Sequence, residues 1–398
     1  MPTDDYWESD ELQDRLYYAR EHEKSKEQRY YPRSRVAWPL RNLRRSRTTP
    51  WIIGLTLLFL IWWLSGSSRN STKVDWSRLA YSQYATDVQS LCNALMVFES
   101  LHRLKSKAAR VLLYPREWVK NPDPIAVRML KDASKKYGVT LEPVDLLRAD
   151  DKVASPGTLD RPSDWNLSIT KLRVFDLIQY DRVLHLDSDI TLLQHLDELF
   201  TLPRTAIAMP RAYWSDGDPS SWPLTSLIML VEPNPNELPL MVETLKKWQT
   251  QSDYVNHKKY DMDLLNHRFG TSALVLPHRP YAMLTAEFRS HDHTTYLGYR
   301  NGPTQDIRGK WDPDRAMKEA KLVHFSDWPL PKPWIMWPGA GLTEIQPDCG
   351  GAKGGCKERV LWKELYTNFR RRRKNVCRIL SVPAPDWAKW KNTTGAGG

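Results

Sequence analysis

The chain has 398 residues, 41% of them hydrophobic and 26% charged, enough apolar material for one large domain or two ordinary ones, which excludes a wholly disordered chain. Its net charge of +11 suits nucleic acid, an acidic membrane surface or a phosphorylated substrate. The arginines are clumped, with Arg33, Arg35, Arg41, Arg44, Arg45 and Arg47 in one block and Arg370 to Arg373 in another, and no zinc-finger or RNP-type spacing accompanies them, so nucleic acid drops out as a partner.

Residues 1–49 are polar, acidic first and arginine-rich later, and read as a disordered tail. Residues 50–66 contain the uncharged run Trp51–Leu64, fringed by Trp at both ends. It is shorter than the ~20 residues that span an average bilayer. A buried core helix and a signal peptide are the alternatives, but a long charged tail ahead of the run and apolar character on every face favour one short transmembrane anchor. The arginines before it place the N-terminus in the cytosol and the bulk of the chain in the lumen. A short span suits an early secretory membrane. Asn70, Asn166 and Asn392 open glycosylation sequons. Cys92, Cys349, Cys356 and Cys377 allow up to two disulfides in three connectivities, and Cys349 and Cys356 flank a glycine-rich loop that could close on itself.

After a short stem at 67–78, a folded domain is expected over 79–380, with a disordered tail at 381–398. Leu79–Thr86 reads as a strand, Asp87 as the N-cap of a helix, and Arg110–Tyr114 as the next strand. Pro124–Tyr137 reads as a helix stopped by Gly138, then Val139–Val144 as extended chain, Ile169–Tyr180 as a helix and Val183–Leu186 as a buried strand. This alternation predicts an α/β fold with a parallel sheet, Rossmann-like, with ligands beyond the carboxyl ends of the strands. Strands are further expected at Thr205–Met209, Leu224–Val231 and Leu322–Phe325, and helices at Asn236–Trp248 and Tyr260–Phe269. The basic run Arg370–Lys374 reads as a solvated helix face.

The chemistry concentrates at Asp187-Ser188-Asp189, where a strand ends. Two carboxylates so close repel unless a cation sits between them, and a hard ion such as Mg²⁺ or Mn²⁺ suits the pair. His324 is the best imidazole, placed at the end of a second strand expected on the same sheet. Lys332 follows in a proline-stiffened loop, where its ammonium could meet a phosphate. Asp261 is either a carboxylate near the reaction or the N-cap of the helix after Tyr260.

The segments Thr170–Leu172, Gln179–Asp189, Asp197–Phe200, His324-Phe-Ser and Lys332-Pro-Trp334 resemble glycosyltransferase family 8, the glycogenin-like nucleotide-sugar transferases. Met209–Trp214, Ser272–Tyr281 and Lys321–Pro329 resemble the fungal Golgi N-acetylglucosaminyltransferases of that family. The resemblance covers roughly residues 79–335 and implies a single catalytic domain of the GT-A fold. It implies Asp187, Asp189 and His324 as Mn²⁺ ligands and Lys332 as the diphosphate contact. Lys171 and the Asp187-Ser188-Asp189 turn would hold the nucleotide sugar, and Gln83, Tyr84 and Thr86 would form the uridine-contacting turn. The family's Asn-Ser-Gly strand is Thr225-Ser226-Leu227 here, and its Asp-Gln pair is Asp261-Met262. These departures imply a donor pocket unlike that of glycogenin. The expected activity is metal-dependent, retaining transfer of N-acetylglucosamine from its UDP donor to a glycan or glycoprotein by a single-pass type II Golgi membrane protein. A glucosyl- or galactosyltransferase and a catalytically silent sugar-binding protein are the alternatives.

Overall fold

The computed structural model describes residues 74–149, 166–251, 259–298, 310–327, 330, 332–336, 339–351 and 355–382, all within one compact unit beginning at Val74. The expected tail, anchor and most of the stem lie outside these residues, as do Asn70, Asn392 and the C-terminal tail beyond Val382. Among the described residues no helix is long and apolar enough to cross a membrane.

The first four strands form as expected: β1 (Leu79–Tyr84), β2 (Ala109–Pro115), β3 (Val139–Val144) and β4 (Arg182–Leu186). Helix α1 (Val88–Arg103) crosses between β1 and β2; Asp87 caps it, accepting from the Ser90 amide at 2.7 Å. Helix α2 (Pro124–Tyr137) starts on a proline, is capped by Asp123, and stops where Gly138 takes the left-handed conformation at φ 64°.

The third crossover differs from expectation. Ser168–Asp176 is a 3-10 run rather than an α-helix. β-Branched Ile169, Thr170 and Val174 weaken the α-helix there, and the Thr170 hydroxyl binds both the amide and the carbonyl of Leu147. The sheet is also mixed, not wholly parallel. After β5 (Ile190–Leu192), strands β6 (Ile207–Pro210), β7 (Ile228–Val231) and β8 (Leu274–Leu276) complete a seven-stranded sheet in the order β3-β2-β1-β4-β7-β6-β8. β7 runs antiparallel to both β4 and β6. The chain before β7 therefore returns along the carboxyl end of β4, and Thr225–Leu227, expected within the strand, is a turn there.

One face of this sheet packs on α1 and α2 through residues such as Tyr81, Leu112 and Leu184. The other packs on the 3-10 run and on α3 (Glu237–Gln249) and α4 (Asp261–Phe269) through Ala80, Val111 and Val183. His324 ends β10 (Leu322–His324), which is not on this sheet. β10 lies between β5 and β9 (Met283–Leu284) in a separate three-stranded sheet. Because β5 begins directly after Asp189 and pairs His324 with Ile190, the smaller sheet still delivers the imidazole to the Asp pair.

The C-terminal helix α5 (Lys357–Arg372) corrects another expectation. Its basic end is not a solvated face: Arg373 is fully buried and donates to Asn93 Oδ1 at 2.7 Å, and Arg372 pairs with Glu99 at 2.6 Å. Both partners lie on α1, to which the chain after α5 is also bonded through Cys377 and Cys92. The second disulfide joins Cys349 to Cys356, closing the glycine-rich loop.

Candidate active site

Asp187 and Asp189 leave the carboxyl end of β4, held on both sides by backbone. The Asp187 amide donates to the Leu227 carbonyl at 2.8 Å, and the Phe325 amide donates to the Asp189 carbonyl at 2.9 Å. The main sheet thus positions one aspartate and the small sheet the other. His324 Nε2 lies 3.1 Å from Asp189 Oδ1 and 3.8 Å from Asp187 Oδ2. Lys332 Nζ donates to Asp189 Oδ2 at 2.6 Å and to the Phe325 carbonyl at 3.0 Å.

A second half of the site lies against the 3-10 run. The Lys171 ammonium, almost wholly buried, donates to Asp187 Oδ1 at 2.7 Å and to Ser226 Oγ at 3.2 Å, and pairs with Asp261 Oδ2 at 3.0 Å. Asp261 also accepts from the Ser168 and Ser226 hydroxyls, each at 2.5 Å. It is therefore not a helix cap. It occupies the first position of α4 while Tyr260 takes the cap position, and its side chain turns into the site. Burial acts to raise the Asp261 carboxyl, but Lys171 and the two serines outweigh it and hold the group below its ordinary range. Burial likewise opposes the Lys171 charge, and Asp187 and Asp261 reverse that effect, keeping the ammonium charged.

Asp187 and Asp189 are driven apart. Burial, joined by repulsion from Asp189, raises the Asp187 carboxyl despite Lys171. Burial acts on Asp189 in the same sense, but Lys332 and His324 overcome it and hold that carboxyl well below its usual range. This is the like-charge conflict expected of two carboxylates sharing one place.

Asp187, Asp189 and His324 fit a divalent cation. Each offers a ligand atom, and these atoms lie within 4.8 Å of one another. The two measured separations, 3.1 and 3.8 Å, are near the roughly 3 Å between adjacent ligands of an ion bound at about 2.1 Å. Two carboxylates with one imidazole suit Mn²⁺ or Mg²⁺ better than a thiophilic ion. Three carboxylates facing two ammonium groups leave the cluster negative, and a divalent cation would make it positive and ready for a diphosphate.

Six expected residues thus converge: Lys171, Asp187, Asp189, Asp261, His324 and Lys332. Ser188 lies half-buried between the aspartates. Tyr84 stands beside them, its ring 5.7 Å from that of His185 and its phenol raised by burial. The structure does not bring Gln83 into the cluster; its side chain is buried, and Nε2 donates to the Leu186 carbonyl at 2.6 Å, tying β1 to the end of β4. Thr86 contributes turn geometry, its amide donating to Ser90 Oγ at 2.9 Å. Ser168 was legible only as the third residue of the Asn166 sequon, yet its hydroxyl serves Asp261, and Asn166 itself is only 6% exposed. A hydroxyl two residues after Asn is indistinguishable, by type alone, from a carboxylate's hydrogen-bond donor.

No family model matches the chain. A glucose N-acetyltransferase 1 of Aspergillus fumigatus is 44% identical over 361 residues, covering 86% of this chain and 90% of its own length. The chain belongs to the glucose N-acetyltransferase 1 family. The glucose N-acetyltransferase 1 of Gibberella zeae is 43% identical over 324 residues, 80% of this chain and 66% of its own. The family expected from the motifs is borne out, and with it the enzyme class, a glycosyltransferase. Among solved structures, the galactosyltransferase LgtC in complex with donor and acceptor sugar analogs aligns over 73% of this chain and 95% of its own, at 13% identity and a TM-score of 0.42.

Proposed function

We propose that this glycosyltransferase moves N-acetylglucosamine from UDP-N-acetylglucosamine to a glycan or glycoprotein acceptor, in a domain of the GT-A type. The observation that carries the reading is the convergence of Asp187, Asp189 and His324 with Lys332 at the carboxyl end of a central strand. The relatives' name couples glucose with an N-acetyl group, and the departures at Leu227 and Met262 agree with a donor sugar other than glucose.

Asp187, Asp189 and His324 would hold Mn²⁺ or Mg²⁺, which supplies charge neutralisation at a departing diphosphate. Lys332 is the protein's own cation for that diphosphate. Its ammonium already spans Asp189 and a backbone carbonyl, so a phosphate oxygen can replace one of these acceptors without the lysine moving far. Lys171 holds Asp187 and Asp261 in fixed relation. Asp261 accepts three donors, which lowers its basicity and its nucleophilicity together. It therefore serves as a fixed negative charge near the sugar rather than as a covalent nucleophile. This favours attack by the acceptor hydroxyl on the face that UDP leaves, with retention of configuration. Electrostatic positioning is then the protein's main contribution.

For its setting we propose a Golgi membrane, one anchor at residues 50–66 and a lumenal catalytic domain. The charge asymmetry around the anchor supports this, and so do the two disulfides, which belong to an oxidising compartment.

The decisive experiment scores UDP release from a panel of UDP-sugars with Mn²⁺ and with excess chelator. Preference for UDP-N-acetylglucosamine and loss of turnover with chelator are expected. A preference for UDP-glucose would move the enzyme to glucosyl transfer, and undiminished turnover in chelator would remove the metal from the mechanism.

A further inference from the structure

We propose that the segment Arg378–Val382 is a strap that positions Lys332, anchored at its root by the Cys92–Cys377 disulfide. The inference rests on the reading of Lys332 as the diphosphate contact.

Lys332 opens a turn closed by the Ile335 amide donating to the Lys332 carbonyl at 3.0 Å. The turn belongs to neither sheet. Pro333 confines Lys332 to extended backbone and is itself buried. The turn is secured by Trp334, packed on the core beside Phe369, and by an isolated parallel bridge between Ile335 and Val382. There the Val382 amide donates to the Trp334 carbonyl and the Met336 amide to the Val382 carbonyl, each at 2.8 Å.

Following the chain back from Val382 leads to a heavily fastened root. Helix α5 ends in a π turn, Arg373–Cys377, and Arg378 then takes the left-handed conformation at φ 56°, redirecting the chain toward the turn. At the root Cys377 is bonded to Cys92 of α1, and its carbonyl accepts from Arg128 of α2 at 2.8 Å. Arg373 donates to Asn93 and Gln89 of α1. Within the strap Ile379 rests on the core, whereas Arg378 is exposed and Leu380 is 76% exposed. With one apolar side chain on the core, the five-residue stretch takes the rest of its restraint from its two ends. Its ends are the disulfide and the bridge, so the backbone of the Lys332 turn is referenced to α1, the helix that follows β1.

This matters because lysine is a point charge on a flexible stem. Its ammonium is placed only as well as its backbone, and a misplacement of about 1 Å is enough to impair catalysis. Val382 and Cys377 touch neither substrate nor reacting atoms; they act through Lys332 and are positioning residues.

The test measures the affinity of the full-length chain for UDP in Mn²⁺ by calorimetry, with a double-mutant cycle. Lys332→Met is expected to weaken UDP binding by about 10–100-fold, the effect of losing a charged hydrogen bond. Val382→Pro deletes the amide that clamps the turn and leaves the disulfide intact. It should weaken UDP by a part of that effect, about 5–10-fold. The double variant should bind no worse than Lys332→Met alone. Inserting Gly-Gly after Leu380 slackens the strap while keeping every hydrogen-bonding group, and it should reproduce the Val382→Pro loss should that variant fold poorly. Wild-type affinity in both strap variants, or losses that add in full to Lys332→Met, would overturn the strap while leaving Lys332 its role. Wild-type affinity in Lys332→Met would instead overturn the reading of Lys332 itself.

Discussion

At the scale of single residues the site is a balance of charge. Lys171 is the only group that separates Asp187 from Asp261 among the contacts described, and it is buried with Asp261 while Asp187 is partly exposed. Lys171→Met should therefore destabilise the fold by about 3–5 kcal/mol, the effect of leaving a buried charge unpaired, measured as a shift in urea unfolding. Adding Asp261→Leu should recover part of that loss; a fully additive double variant would show that the two groups are not coupled. If Asp189 holds the proposed cation, Asp189→Asn is expected to lower kcat by about 100-fold or more while melting like the parent, since a metal ligand matters at least as much as the outer-sphere groups whose loss brings 10–100-fold. His278 carries a separate acid sensitivity. Burial, against Tyr213 and Tyr296, lowers its imidazole below the ordinary 6.5. The unfolded chain then takes up a proton as pH falls through about 6.5 while the folded chain does not, so stability is full above that pH and declines below it. His185, buried in the sheet and lowered by burial to about 3, adds a decline of the same sign, so His278→Gln should lessen but not remove the slope in unfolding measured between pH 7 and 5. An unchanged slope would assign the sensitivity to other groups.

At the scale of elements, much was legible because local rules and tertiary packing agreed. Pro124, Asp123 and Gly138 delimit α2 as their chemistry requires, and Val139–Val144 follows in register with β2. The 3-10 run was not legible, because periodicity does not separate i,i+3 from i,i+4 closure over nine residues. What decides it is Thr170 bonding to a distant backbone at Leu147. The reversal of β7 was hidden for a similar reason: a buried strand reads as the same apolar run in either direction. The Asp pair, His324 and Lys332 were legible because their chemistry is unusual in combination. Ser226 as a partner of Asp261 was not, since serine alone announces nothing. The basic end of α5 misled because four consecutive arginines suggest solvent, whereas Arg373 has its acceptors on α1. Asn93→Leu leaves that buried guanidinium short of a partner and should lower stability by about 1.5–3 kcal/mol in denaturant unfolding.

At the scale of the molecule, two sheets meet at one aspartate pair. The seven-stranded sheet brings Asp187 with Lys171 and Asp261, and the three-stranded sheet brings His324 beside Asp189. Catalytic geometry thus depends on the docking of the smaller sheet, not only on the main fold. A chain beginning at residue 68 retains every described element. It is expected to stay in the supernatant after high-speed centrifugation and to release UDP at the rate of the full-length enzyme. Sedimentation with membranes would place a further membrane contact within the catalytic region.

The burial of Asn166 bears on how the protein matures. Oligosaccharide transfer needs an extended, accessible sequon, and here the asparagine is enclosed while the hydroxyl of Ser168 is engaged by Asp261. In a lumenal setting, transfer at this position competes with folding, and a chain modified there has a bulky glycan where its carboxylate partner must dock. Occupancy at Asn166 therefore marks molecules that were modified before they folded, and site-resolved glycopeptide analysis of the secretory pool would read out folding speed in the cell.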